Sequence, residues 1–452
     1  MSDPEFGYVT PETLGLFTDL YEFRMMEGYL ETGHTQTATF DLFVRDLPPN
    51  RGYLVAAGLE QAVASLDSLA FDERALSYLA ETGAGEVLLE FLVDFSFSGE
   101  VRAVPEGTVV FPNEPLLEVT APLAEAQLFE TLLINQVGYQ TLIASKAARM
   151  RDAVDRLGAD QSLVDFGSRR AHGTDAGLKA ARAATIGGFD GTSNVAAGEA
   201  FDLPVFGTMA HSWVQSFPTE REAFEAFVSV YGADSTLLID TYDTVAGARL
   251  ARAVAADMGV AVRGVRLDSG DLVALSKAVA EVVPEMDLFI SSSVDEYGIE
   301  AFLRDGGVAH GFGPGTALTT SADAPKLEAV YKLVAVERDG ELRPSMKLSP
   351  GKVTYPGEKS VRRRSDGGRF VGDTLARRGE DLPGEDLLVT VFEGGERVAP
   401  LPTLAECAAR RAAQVAALPD AVRALTDPGR YPVEVSEGLE RTAAEVRASL
   451  VG

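Results

Sequence analysis

Four side chains that could do chemistry stand within six residues at the end of one apolar run. In "VRGVRLDSGDL", residues 262–272, Arg266, Asp268, Ser269 and Asp271 close a strand-like stretch and open the next helix. An arginine there offers planar donors to a carboxylate or a phosphate. Asp268 could accept from ribose hydroxyls or help to hold Mg²⁺. Ser269 and Asp271 have a second reading as helix caps, but capping does not account for Arg266. "DFGSRRAHG", residues 165–173, repeats the theme. Either Phe166 stacks on a flat ring while Arg169 or Arg170 meets an anion, or Phe166 is core and the arginines are a solvated loop. His172 has no partner at ligand spacing and reads as a hydrogen-bonded structural residue.

"HGFGPGT", residues 310–316, carries three glycines in seven positions directly after strand-like "VA". Successive backbone N–H groups there could cradle a phosphate. No GK[ST] follows, so this is not a P-loop, and a plain Gly-Pro turn has the same composition. In "FDGTSN", residues 189–194, Asp190 is a ligand-binding carboxylate or a turn cap. "PVFGTMAHSWVQSFP", residues 204–218, holds His211, one of only four histidines, two positions before the chain's single tryptophan. By itself His211 is a nucleophilic imidazole or a structural histidine, and Trp213 reads as packing. Three places for anions, several carboxylates and one flat aromatic at strand ends point jointly to a phosphorylated sugar and a planar anionic partner.

The elements that must position these groups follow from periodicity. Between about 160 and 312, short apolar runs alternate with helices of ten to fifteen residues, the mark of βα units around a parallel sheet. Nearly every run ends in Asp, Arg, Ser or Thr. A doubly wound sheet announces itself with an early Gly-rich fingerprint, which is absent here. Polar residues repeated at strand ends fit a (β/α) barrel better, since its site is built from the carboxyl ends of several strands. Upstream, residues 16–30 read as an amphipathic helix starting near Thr18 or Asp19, 38–44 as a strand and 53–66 as a helix opening from a Gly-rich turn. Residues 90–120 read as hairpins, and 123–157 as a long helix with a break near Gly138. Downstream, 327–366 are strand-like; the rest mixes linkers with one strand, "DLLVTVFE", and helices at 403–417 and 437–450. The expected α/β architecture is an irregular, TIM-like (β/α) barrel plus an α/β sandwich domain built from both chain ends. Its divisions are 1–135, 136–330 and 331–452.

At 452 residues the chain exceeds one ordinary core. A formal net charge of −28 argues against a nucleic-acid or anionic-membrane partner. The single Cys407 excludes an intrachain disulfide and any cysteine-built metal site. No apolar segment reaches the eighteen residues a membrane span needs. "MSDPEFGYVTPETLG" has no signal-peptide pattern, so a cytoplasmic location is expected.

Several stretches, in order, resemble the nicotinate phosphoribosyltransferases: "LFTDLYEFRMMEGY", "ATFDLFVR", "DFGSRRAHG", "GGFDGTSN", "FGTMAHS", "LIDTYDT", "VRLDSGDL", "FGPGT" and "MKLSPGKVTYPGEKSVRR". The likeness runs from about residue 14 to about 362, and residues 367–452 carry no motif that can be matched. It implies a homodimeric type II phosphoribosyltransferase whose active site is shared between subunits. In that family nicotinate attacks C1 of 5-phosphoribosyl 1-diphosphate, giving nicotinate mononucleotide and diphosphate in NAD salvage. Mg²⁺ is present, carried mainly by diphosphate, and ATP hydrolysis is coupled through a phosphohistidine.

The resemblance makes His211 that phosphohistidine, with Thr208 and Ser212 as supports. An imidazole suits the task, since one nitrogen is nucleophilic while a hydrogen bond holds the other. It makes Phe166 the ring that stacks on the pyridine and Tyr21 of the partner subunit the cover on its other face. Arg169 becomes a substrate- or phosphate-binding arginine and Asp190 a pocket aspartate. Arg266 and Asp268, with Ser269, engage ribose, diphosphate or ring substituent. Gly313, Gly315 and Thr316 line the 5′-phosphate, and Lys347 and Lys352 supply positive charge. The alternatives are a nicotinamide- or quinolinate-using phosphoribosyltransferase, or a non-catalytic phosphosugar-binding protein on the same scaffold. Quinolinate would need further basic groups for its second carboxylate.

Overall fold

The computed structural model describes residues 8–158, 160–292, 294–349, 354–398 and 400–451. The chain divides into two compact units, Met1–Leu142 with Lys326–Gly452, and Ile143–Pro325.

The first unit is built on a seven-stranded antiparallel sheet. Its order is Glu341–Pro344, Ala329–Arg338, Thr37–Val44, Pro115–Pro122, Glu100–Ala103, Val389–Glu393 and Glu396–Arg397. A helix at Leu20–Glu31 packs with those at Glu86–Val93 and Leu123–Leu128, burying Phe23 and Met26 in the core. Where the sequence suggests one helix over 16–30, a 3₁₀ turn at Leu14–Leu16 comes first and Asp19 begins the α-helix. The helix expected over 53–66 starts only at Leu59, because Leu54–Val55 pairs as a strand. Gly58 makes that turn at φ 99°, and a Cβ there would lie 2.4 Å from the Gln136 carbonyl oxygen. The long helical stretch breaks at Phe129, between Leu123–Leu128 and Glu130–Asp155, and runs through Gly138 unbroken.

The carboxyl-terminal region holds more strand than its composition suggests. Lys359–Asp366 and Arg369–Arg377 form a hairpin inside a four-stranded sheet with Glu385–Asp386 and Val433–Val435. Arg363 pairs with Asp373 inside that hairpin, and Tyr431 stacks on Phe111 at 4.0 Å. The helices at Leu404–Ala417 and Glu437–Val451 stand where expected.

The second unit is a curled, wholly parallel sheet. Its order is Gly191–Thr192, Ser162–Asp165, Gly311–Phe312, Asp287–Ile290, Gly264–Leu267 and Thr236–Leu238. A single parallel bridge from Thr192 to Val205 extends it by one position. Read around the curl, the strands follow chain order from 162 through 205 and from 236 back to 162. Among the described residues no ladder joins 205 to 236. This is the irregular (β/α) barrel expected from the alternation, accompanied by the sheets built from both chain ends. Helix starts on the rim are set by caps: Asp243, Asp271 and Asp295 accept from the N–H groups of Ala246, Ala274 and Gly298.

Candidate active site

The carboxyl ends of the barrel strands bring together residues from four separate stretches. Strand Gly264–Leu267 delivers Arg266 and Asp268; the next strand ends in Ser291; the preceding one ends in Asp240 and Thr241. His211 opens the short helix His211–Gln215 after the bridged segment at 205. Its Nδ1 lies 3.1 Å from the Thr241 hydroxyl, and its Nε2 lies 3.8 Å from Asp268 Oδ2. The imidazole is 39% exposed and Asp268 29%, so both face the open rim.

Arg266 ties these groups to one another. Its Nη2 donates to the Met209 carbonyl at 2.8 Å, two residues before His211, and its Nη1 donates to Ser291 Oγ at 2.9 Å. Asp268 Oδ1 stands 3.5 Å from Nη1. Burial above all pulls this guanidinium below its ordinary pKa; Asp268 and Asp240 oppose the shift, and the like charge of Arg169 adds to it. Arg169 itself is exposed on the 3₁₀ turn Ser168–Arg170.

Asp240 holds the next loop in shape. One carboxylate oxygen accepts from the Asp268 N–H at 2.8 Å and from the Ser269 hydroxyl at 2.6 Å. Ser269 is therefore fixed by a neighbouring carboxylate, whereas Asp271 caps its helix. Asp240 Oδ1 is buried with no hydrogen-bond partner among the described residues. Asp240 and Asp268 are thus the carboxylates available to a Mg²⁺ ion, but among the described residues no group of three ligating side chains exists. A cation here would take most of its ligands from substrate oxygens and water.

Phe166 and the glycine loop meet on the adjoining strands. The Phe166 N–H donates to the Pro314 carbonyl at 2.9 Å, and the ring lies against Gly313. Asp165, fully buried below it, accepts from the Gly167 N–H and the Thr192 hydroxyl, both at 2.8 Å. Burial raises the Asp165 pKa, and the two donors oppose that rise. The expected phosphate role of Gly313 does not hold for its N–H, which donates to the Ile290 carbonyl at 2.8 Å. Gly313 is glycine for packing: a Cβ would stand 2.5 Å from Phe166 Cδ2. Gly313→Ala is accordingly expected to destabilise the fold by about 1–3 kcal/mol. An unchanged midpoint of urea unfolding would show that the ring can yield. Gly315 precedes the turn Thr316–Thr319, and its carbonyl accepts from the N–H groups of Leu318 and Thr319 at 3.1 and 3.2 Å.

Other expected residues lie elsewhere. Asp190 precedes its strand, and one oxygen of its exposed carboxylate accepts from the N–H of Leu163 on the neighbouring strand at 2.8 Å, a cross-strand bond rather than a turn cap. Thr208 donates to the Met209 carbonyl beside it, and Ser212 is exposed; among the described residues neither touches the imidazole. Thr241 does that work. His172, expected to be a hydrogen-bonded structural residue, is exposed. Tyr21, 45% exposed, and the exposed Lys347 belong to the first unit; Lys352 lies outside the described residues. Asp240, Thr241 and Ser291 were missed singly, although each is a polar residue where an apolar run ends.

Fold and rim together define an α/β-barrel enzyme with its polar groups at the carboxyl ends of the strands. Family models for the nicotinate phosphoribosyltransferase N-terminal domain, family and C-terminal domain match residues 16–138, 161–392 and 362–443. The last match covers much of the stretch that showed no motif. The nicotinate phosphoribosyltransferase pncB2 of Mycobacterium tuberculosis is 45% identical over 442 residues, covering 96% of this chain and 94% of that protein. The nicotinate phosphoribosyltransferase of Homo sapiens is 32% identical over 516 residues, with 94% and 95% covered. A crystal structure of human nicotinic acid phosphoribosyltransferase superposes with a TM-score of 0.84 at 28% identity, over 95% of this chain and 100% of that one. The chain belongs to the nicotinate phosphoribosyltransferase family. Among the described residues, no helix is long and apolar enough to cross a membrane.

Proposed function

We infer that this chain transfers the phosphoribosyl group of 5-phosphoribosyl 1-diphosphate to nicotinate in NAD salvage, and that ATP cleavage assists through phosphate carried on His211. The observation behind the reading is the rim group of His211, Asp268 and Arg266, with Phe166 at the end of a strand three places further along the same sheet. The pyridine nitrogen forms a bond to C1 of the sugar while the bond from C1 to diphosphate breaks, and its electron pair leaves with diphosphate. No proton has to move, so no general base is needed. Phe166 offers a flat face for the ring, and Arg169 a positive charge for its carboxylate. The N–H groups of Thr316 and Ala317, which open the turn after the glycine loop, would suit the 5′-phosphate. Asp240 and Asp268 would hold Mg²⁺, which when bound offsets the charge developing on diphosphate.

ATP would place its γ-phosphoryl group on His211, with Thr241 holding the imidazole by Nδ1. The bond from γ-phosphorus to the bridging oxygen breaks as the one from nitrogen to phosphorus forms, and ADP leaves. The active form is taken to be a cytoplasmic homodimer in which Tyr21 of the partner subunit covers the pyridine ring. Its exposure on the helix Leu20–Glu31 suits such a contact.

Steady-state rates with two acceptors test the substrate. An arginine matched to a carboxylate loses about 10²-fold or more when that charge is absent, so kcat/KM is expected to favour nicotinate over nicotinamide by at least that factor. Equal values would point to the nicotinamide-using alternative.

A further inference from the structure

We propose that Ser291 is a positioning residue for this reaction: its hydroxyl bridges Arg266 and Asp268, fixing one oxygen of Asp268 so that the other faces His211. The proposal rests on the reading of His211 above. Ser291 follows the strand Asp287–Ile290, and its N–H donates to the Leu267 carbonyl at 3.0 Å, which anchors its backbone to the strand carrying Asp268. Its hydroxyl accepts from Arg266 Nη1 at 2.9 Å and lies 2.6 Å from Asp268 Oδ1. The hydroxyl has one proton to give. The alternative acceptor, the Leu267 carbonyl, is 3.3 Å away, and a carboxylate at 2.6 Å is the better partner.

The bridge is needed because arginine and aspartate do not meet well by themselves, standing 3.5 Å apart. With Oδ1 held by the serine, Oδ2 remains toward His211 Nε2 at 3.8 Å. Without the hydroxyl, Arg266 Nη1 loses its nearer acceptor and draws the carboxylate toward itself, which turns Oδ2 away from the imidazole. Ser291 would thus act on the reaction through Asp268, without touching a reacting atom.

The test compares Ser291→Thr with Ser291→Val, two side chains of one shape that differ in the hydroxyl. With saturating ATP, Thr is expected to keep kcat for mononucleotide formation within about threefold of the native enzyme and Val to lose about tenfold or more, since a hydrogen bond to a charged group is removed. The KM for nicotinate and the melting temperature should be alike in the pair. In an Asp268→Asn background, read by single turnover with enzyme in excess, the Thr-to-Val difference should vanish, because coupled groups do not add. Equal kcat for Thr and Val, or a tenfold gap that persists in the Asp268→Asn background as well, would overturn the proposal. A native enzyme that takes no label from γ-³²P-ATP would refute the phosphate reading of His211, and the Thr-to-Val ratio in kcat would still decide the role of Ser291.

Discussion

A His211→Asn enzyme is expected to fold, bind 5-phosphoribosyl 1-diphosphate near normally and take no acid-labile, base-stable label from γ-³²P-ATP. Asparagine keeps a polar side chain of similar reach but has no nucleophilic ring nitrogen. The fold should survive because the imidazole is 39% exposed and its hydrogen-bond partner, Thr241, is on the rim. Turnover should fall to the level seen without ATP. That residue of activity should persist, since in the proposed mechanism ribosyl transfer draws on Arg266, Asp268 and the Thr316–Thr319 turn rather than on this nitrogen. Thr241→Val supplies the control: it frees the imidazole without removing it, so labelling should slow by about tenfold rather than stop. A His211→Asn protein that is folded, still labelled and still stimulated by ATP would make the histidine structural.

Arg266→Gln should cost about 10²–10³-fold in kcat/KM for both substrates, the loss typical of one preorganised donor at a reacting centre. The reason is the number of groups that hang on it. The guanidinium holds the Met209 carbonyl, Ser291 and Asp268 at once, and so ties the segment leading to His211 to the two strands beside it. Glutamine reaches one of these and leaves the Asp268 carboxylate without its cation. Arg266→Lys should rescue little, because an ammonium is a point charge and cannot span three acceptors set around a planar fork. Recovery by lysine to within about threefold of the native rate would show that charge alone matters there. Thermal melting in parallel separates this loss from unfolding, which would lower kcat with no change in KM for the remaining active enzyme.

The polar residues at strand ends were legible because a parallel barrel leaves one signature, an apolar run closed by a side chain that can do chemistry. Arg266 and Asp268 come out of the sequence that way and His211 from the family resemblance, and the structure brings the three into one group. Asp240, Thr241 and Ser291 carry the same signature, but one strand end cannot say which neighbour it faces. Their roles are set by the lateral order of the strands, which places 238 beside 266 and 266 beside 289.

Local signals misled where two needs share one residue type. Asp271 looks like a ligand and caps its helix, and one oxygen of Asp190 is taken by the Leu163 N–H. Gly313 looks like a phosphate donor and is required by the ring of Phe166. Likewise, beyond Lys359–Asp366, which falls in the strand-like 327–366, the strands of the carboxyl-terminal sheet read as linkers because much of what holds them comes from partners outside each strand. Arg363 is buried against Asp373, and Tyr431 lies on Phe111. Periodicity and residue type therefore determined the fold class and the candidate groups at strand ends, and the family resemblance added His211. Only the tertiary structure decided which of those groups meet, because a hydrogen bond between strand ends depends on register and lateral order, and neither is written within any one strand.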